Sequence, residues 1–335
     1  MGEGFRFARL GRRDLLRVGL SGAGLGILGP AIGASRRAEA RPSSVLPAPK
    51  PLRPGACLRV VNPGTWMDPE TDLTQLQQRC AAQGWHLELP SSIFRQWRYF
   101  SGRDKERLAD LETAWRDPTV DAVITLGGGW GAARVLEAGF QFPSYAKWSL
   151  GFSDPSALLL AQWAAGLPGA VHGSSGGSDE QWQRTVALLS GRLVPALQGL
   201  GLRPGQAVGP LVVTNLTVAT HLIGTPWMPD LRGSILVFED VGEAPYRVDR
   251  MLTQWRTAGL LQSLSGIACG RFSWDEDDIL PGDFTMEEIL EERLGDLEIP
   301  LVVNLPVGHR GANQALRLGA QVRLDGKAGT LDEIN

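Results

Sequence analysis

Between residues 57 and 165 short apolar runs alternate with amphipathic stretches, and most of the runs end at glycine or proline. This alternation limits the fold more than any other feature of the chain. A strand buried on both faces reads as a near-continuous apolar run, and its parallel neighbour is reached through a crossover, usually a helix. Cys57–Asn62 reads as the first strand, broken by Pro63-Gly64. The spacing predicts a helix over 71–83, a strand over 86–89, a helix over 104–115 and a third strand over 122–126. That strand enters Gly127-Gly128-Gly129-Trp130-Gly131, and a helix follows to about Glu137. A short strand at Ser149-Leu150 then leads to a helix over 156–165, so a parallel sheet is expected through about residue 190.

The chain has 335 residues, and at roughly 150 per domain that length points to two domains. A Gly-, Pro- and Leu-rich stretch at 191–210 reads as the linker between a domain over 55–190 and another over 211–335. Strands are expected in the second at 211–213, 235–238, 267–269, 301–304 and 321–324, with helices near 216–223, 246–258 and 286–294. The acidic stretch Asp275–Asp278 reads as a solvated loop. The expected class is α/β: a Rossmann-like N-terminal domain with a parallel sheet, and a smaller mixed C-terminal domain.

The first 40 residues read as an address. Arg12-Arg13, Leu15-Leu16 and Arg17 precede a weakly apolar, glycine-rich run to Ala34, and Ala38-Glu39-Ala40 fits a small-x-small cleavage site. This is the pattern of a twin-arginine export signal, implying a periplasmic or other extracytoplasmic product. Pro30 interrupts the run, so no stable membrane span is expected. Residues 41–54, with five prolines from Pro42 to Pro54, read as a linker. Without residues 1–40 the chain holds 26 Lys plus Arg against 33 acids, a net charge of −7. Such a balance offers no electrostatic reason to expect nucleic acid as a partner. Cys57, Cys80 and Cys269 are too few and too scattered for a disulfide framework or a zinc site.

Several residues could carry chemistry. Ser153 lies in Gly151-Phe152-Ser153-Asp154-Pro155, at a strand-to-helix corner where helix N–H groups can stabilise an oxyanion; its plainer use is to cap the helix. The Gly127–Gly131 run suits backbone N–H groups turned on an anion. A dinucleotide loop is its rival, but it follows the third strand and no acid answers it at the expected spacing. Of the four histidines, His86 and His221 read as structural, His172 lies near a possible pocket, and His309 stands on a loop after a buried strand. Glu239-Asp240 follows the run Ile235–Phe238 and could orient a histidine. Ser153, Glu239 and His309 thus form a triad by role, each at an expected strand end. Asn215, at the end of another apolar run, joins Trp130, Gly127 and His172 as a candidate substrate contact.

At these residues the chain resembles the LD-carboxypeptidase family of serine peptidases, which includes muramoyltetrapeptide carboxypeptidases and microcin-immunity peptidases. The likeness runs from about Cys57 to Asp325. It rests on Gly151-Phe152-Ser153-Asp154, on the glycine loop, on Gly224-Thr225-Pro226-Trp227, on Phe238 to Leu252 and on Gly308-His309 followed by Asn313. The resemblance implies catalysis by Ser153, Glu239 and His309, with release of a terminal D-alanine from murein tetrapeptides or muropeptides. For that chemistry the candidate oxyanion donors are the backbone N–H of Asp154 and one N–H from the pair Gly128 and Gly129. The resemblance also implies a homodimer and no metal or organic cofactor. The family's arginine before the glycine pair is Gly127 here, its tyrosine is Trp130, and its His-Gly-Pro is His172-Gly173-Ser174. Two other readings stay open: an amidase for peptide-nucleotide antibiotics, with Trp66, Trp97, Trp130 or Trp227 as a base platform, and a wall-peptide binding protein without turnover.

Overall fold

A computed structural model describes residues 46–275 and 281–334; the expected export signal and all but Asp275 of the acidic stretch lie outside them. Five parallel strands, β1 (Cys57–Val61), β2 (His86–Glu88), β3 (Ala122–Thr125), β4 (Trp148–Gly151) and β5 (Ala170–His172), form the first sheet in the order β5-β4-β3-β1-β2. The crossovers are α1 (Thr74–Ala82), α2 (Asp104–Arg116), α3 (Ala132–Glu137) and α4 (Ser156–Ala164). The sequence reading missed β5 and the helix after it, α5 (Asp179–Leu189). The signal for α5 was present: Ser178 and Gln181 form a capping box, in which each side chain accepts from the other's backbone N–H.

The Pro-rich stretch before β1 is not a free linker over its described part. The Leu52 side chain is buried and its N–H donates to the Leu189 carbonyl at 2.9 Å, while the Lys50 carbonyl accepts from the Trp148 indole at 2.8 Å. An extended proline-rich segment leaves its carbonyls unpaired, and here Trp148 of β4 uses that of Lys50.

The second sheet has eight strands and is mixed. Its centre is parallel: β8 (Gln206–Asn215), β9 (Ile235–Val241), β10 (Gly266–Ser273) and β11 (Leu301–Val303). Antiparallel strands flank it: β7 (Leu200–Arg203) on β11, and β13 (Gln321–Asp325), β14 (Thr330–Glu333) and β6 (Leu197–Gln198) beyond β8. Most of the expected 191–210 linker is therefore strand. Its glycines serve close approach rather than flexibility: a Cβ on Gly209 would strike the Gly233 carbonyl, and one on Gly201 the Gly326 backbone. One short strand, β12 (Leu316–Arg317), leaves the C-terminal half to pair antiparallel with β5, so the two sheets do not divide the chain cleanly at residue 210.

Three more helices, α6 (Leu216–Leu222), α7 (Pro245–Thr257) and α8 (Met286–Leu294), cover the second sheet. One apolar core runs from Val123, Val135 and Leu160 into Leu216, Val237 and Ile267. α4 lies within it, buried at every position from Ser156 to Gln162, because it packs against the first sheet on one side and α6 and β8 on the other. A second core, with Val60, Ile124 and Trp182, fills the other face of the first sheet. No helix among the described residues is long and apolar enough to cross a membrane.

Candidate active site

The carboxyl ends of β3, β4, β5, β8 and β9 face a common cavity of about 620 Å³. This is where parallel sheets gather functional groups, because the loops that leave those ends are free of packing duties. From the first half it is lined by Gly127, Gly128, Gly129, Phe152, Ser153, Ser174 and Ser175; from the second by Asn215, Thr217, Asp240, Glu243 and His309.

Ser153 owes its place to a tight corner. Only four residues separate the end of β4 from the start of α4, and Ser153 adopts φ +66°. A non-glycine residue in that left-handed region stores about 1–3 kcal/mol of strain. The corner is held closed by the Ser156 and Ala157 N–H groups, which donate to the Ser153 and Asp154 carbonyls at 2.8 and 3.1 Å. Gly151 makes room for it: a Cβ there would come within 2.9 Å of Pro155.

The glycine loop lies beside this serine. Gly127 and Gly129 have φ of +74° and +76°, and a Cβ on either would overlap Asn62 or Thr65. An arginine at position 127 would meet the Asn62 side chain in this conformation. A Cβ on Gly128 would sit 3.3 Å from Ser153 Oγ, so this backbone runs alongside the serine side chain. The N–H groups of Gly128, Gly129 and Asp154 donate to no acceptor among the described residues.

His309 is carried in by a different route. β11 ends at Val303, Asn304 with φ +59° turns the chain, and the Val307 carbonyl then accepts from the Arg271 N–H on β10 at 2.8 Å. Gly308, at φ +126°, passes over Glu239, where a Cβ would be 3.1 Å from the carboxylate. His309 Nδ1 meets Glu239 Oε2 at 2.7 Å. Glu239 is fully buried within β9 rather than after it, and Asn215 is its register partner on β8. Burial raises the Glu239 carboxyl above its ordinary range, and the hydrogen bond from His309 pulls it back. A carboxylate accepting at Nδ1 holds the neutral ring's proton there and leaves the Nε2 lone pair as base.

The remaining candidates divide. Asn215 is committed to the protein: its Oδ1 caps α6 through the Val218 N–H at 3.0 Å, and its amide donates to Glu239 and Asp240 at 3.3 and 2.9 Å. It lines the cavity as a brace. His172 needs correction, since it is fully buried on β5, neither ring nitrogen has a hydrogen-bond partner among the described residues, and it is not among the described residues that line the cavity. The Phe152 ring lies 5.3 Å from the His172 ring and 4.3 Å from that of His309. Burial, and secondarily His309, push His172 down to about 3, so it is a neutral packing residue. Trp130 also stands outside the lining, its ring edge-on to His221 at 6.2 Å.

Sequence reasoning missed the support around Asp240. This buried carboxylate accepts from the Thr217 N–H and hydroxyl at 2.9 and 2.8 Å, which fixes the start of α6 against β9. Adjacent acids in an otherwise apolar strand were its only trace in the sequence. The acids on the lining are Asp240 and Glu243, with no Lys or Arg among the described lining residues.

Comparison with known proteins agrees with this architecture. Residues 58–173 match the family model of the LD-carboxypeptidase N-terminal domain, and residues 208–324 that of the LD-carboxypeptidase C-terminal domain. The chain is 41% identical over 290 residues to a Synechocystis protein assigned as a carboxypeptidase, covering 84% of this chain and 96% of that one. It is 32% identical over 278 residues to the murein tetrapeptide carboxypeptidase of Pseudomonas aeruginosa, covering 77% and 88%. The crystal structure of muramoyltetrapeptide carboxypeptidase from Oxalobacter formigenes superposes with a TM-score of 0.70 at 26% identity, covering 82% and 97%. The chain belongs to the LD-carboxypeptidase family of peptidases.

Proposed function

We propose that the protein is a serine LD-carboxypeptidase that releases the terminal D-alanine from murein tetrapeptide stems. One observation carries the reading: a serine in a left-handed corner shares a cavity with an imidazole whose Nδ1 is held by a buried carboxylate. In the reaction His309 Nε2 takes the Ser153 proton as Oγ attacks the peptide carbonyl. The oxygen of the tetrahedral intermediate is received by the unpaired N–H groups of Asp154 and of Gly128 or Gly129. His309, now imidazolium beside Glu239, returns the proton to the departing D-alanine amine. Water, activated by the same ring, then frees the acyl group. With no Lys or Arg among the described lining residues, the substrate's carboxylate is met by hydroxyl and N–H groups such as those of Ser174 and Ser175. The names of the Pseudomonas and Oxalobacter relatives support the stem peptide as substrate. The twin-arginine pattern at Arg12-Arg13 supports export, and with it trimming of stems in the wall itself.

The test is D-alanine release from disaccharide-tetrapeptide, run beside Ser153→Ala. Release is expected from the wild type and a fall of about 10⁴-fold or more from the variant. A wild type that a serine-directed phosphonate labels but that spares the tetrapeptide would transfer the reading to another amide, with an aminoacyl-nucleotide next to try. A wild type that neither releases nor labels would leave a binding protein.

A further inference from the structure

Arg107 is buried on α2, a costly placement for a guanidinium, and its Nε has no hydrogen-bond partner among the described residues, so its two Nη groups carry the pairing. Its Nη2 pairs with Asp104, which also holds Arg134, and its Cζ lies 4.5 Å over the Phe100 ring. Its Nη1 donates to two backbone carbonyls, that of Pro63 just after β1 and that of Gly131 at 2.8 Å. One cation thus ties the end of the glycine loop to the turn beside it. Only glycine at 131 permits this approach, since a Cβ there would overlap the guanidinium.

From the opposite side the loop is held by Asp154. Its Oδ2 accepts from the Ala132 N–H at 2.8 Å, and its Oδ1 is buried without a partner among the described residues. Burial pushes this carboxyl up to about 6, while the Ala132 and Gly131 N–H groups and the Arg107 charge pull it down. Gly64 fills the space between: a Cβ there would be 2.6 Å from the Gly128 carbonyl and 2.9 Å from Asp154 Oδ2. The Thr65 N–H donates to that same Gly128 carbonyl at 3.1 Å. The loop is therefore gripped through carbonyls by Arg107 and through N–H groups by the residue that follows Ser153.

We propose that Arg107 and the Asp154 side chain are positioning residues, a buried clamp that sets the Gly128 and Gly129 N–H groups at oxyanion distance from Ser153. Neither touches substrate. The proposal rests on the serine-hydrolase reading above, and its test does not need the substrate to be known. The measurement is the rate at which a fluorophosphonate labels Ser153 in the full-length protein, with affinity for a peptide boronate as the readout of the oxyanion site.

Asp154→Ala is expected to slow labelling and weaken boronate binding together by about 10²-fold, with KM for any cleaved peptide nearly unchanged. Asp154→Asn, which keeps an acceptor for the Ala132 N–H, should recover most of that loss. Arg107→Lys loses the planar fork that reaches Asp104 through Nη2 while Nη1 meets both carbonyls, and should cost about tenfold in both. A folded Asp154→Ala that labels and binds boronate within about threefold of wild type would overturn the clamp. So would slow labelling with boronate affinity intact. If the alanine variant does not fold, Arg107→Lys decides on the same two readouts. A wild type that labels without releasing D-alanine would sink the substrate proposal alone, and one that does not label would sink both.

Discussion

Ser153 is placed by backbone, whereas His309 is placed by side chains. Around the serine stand Gly64, Gly127, Gly128, Gly129, Gly131 and Gly151, and the geometry comes from positive φ and from contacts too close for a Cβ. Around the histidine the sequence Glu239, Asn215, Asp240 and Thr217 forms a buried hydrogen-bonded chain on β8, β9 and α6. The difference follows from the task. An oxyanion is best met by fixed N–H dipoles, which need close, rigid backbone. A base needs a defined tautomer, which requires a carboxylate held in one orientation. The two halves should then fail differently: the first through added atoms, the second through lost charge.

The largest effect belongs to the histidine side. Glu239→Gln keeps the shape but offers Nδ1 an amide in place of a carboxylate, and kcat/KM should fall by about 10⁴-fold. Because burial already works against the ionised Glu239, its melting temperature should hold or rise. Loss below tenfold would show that the carboxylate does not orient the ring.

On the serine side Gly128→Ala adds one methyl group, 3.3 Å from Ser153 Oγ. Its φ is outside the left-handed region, so thermal melting should barely move while kcat falls about 10²-fold. Equal damage to melting and rate would mean that the loop is a structural element and the comparison fails.

The smallest effect is on stability. Asp154 is the one ionisable group built into the serine corner, and its folded-state value is raised to about 6. A raised carboxyl costs stability while ionised, so the penalty is full above about pH 6 and is relieved as pH falls toward 4. In urea melts Asp154→Asn should gain about 1–3 kcal/mol at about pH 8 and close to nothing at about pH 4. An equal gain at both would mean that Asp154 is not a buried carboxylate in solution.

Much of the first sheet was legible because its strands are uniformly apolar and its helices periodic; β1, β3 and α4 fall within a residue or two of expectation. The 191–210 stretch was misread because glycines that admit a neighbouring backbone look the same in sequence as glycines that bend a linker. β12 was missed because two residues, Leu316-Arg317, carry no period at all; their pairing with β5 is made by tertiary contact. Within the site, Ser153 and His309 were legible as loop residues after apolar runs and by family wording, whereas Glu239, expected after its strand, lies inside β9. His172 was misjudged, since proximity to Gly173-Ser174 in the chain says nothing about which face of β5 a side chain takes.

By itself the sequence determined the class of fold, the family and the three residues on which hydrolysis is proposed, because periodicity and motif wording are local and survive without coordinates. Only the tertiary structure decided that Glu239 is sealed against His309, that Asn215 braces the site and that His172 is packing. It alone revealed Arg107 beneath the glycine loop, 46 residues from Ser153 in the chain. Such roles depend on burial and on contacts between distant segments, and nothing in a local run of residues encodes either.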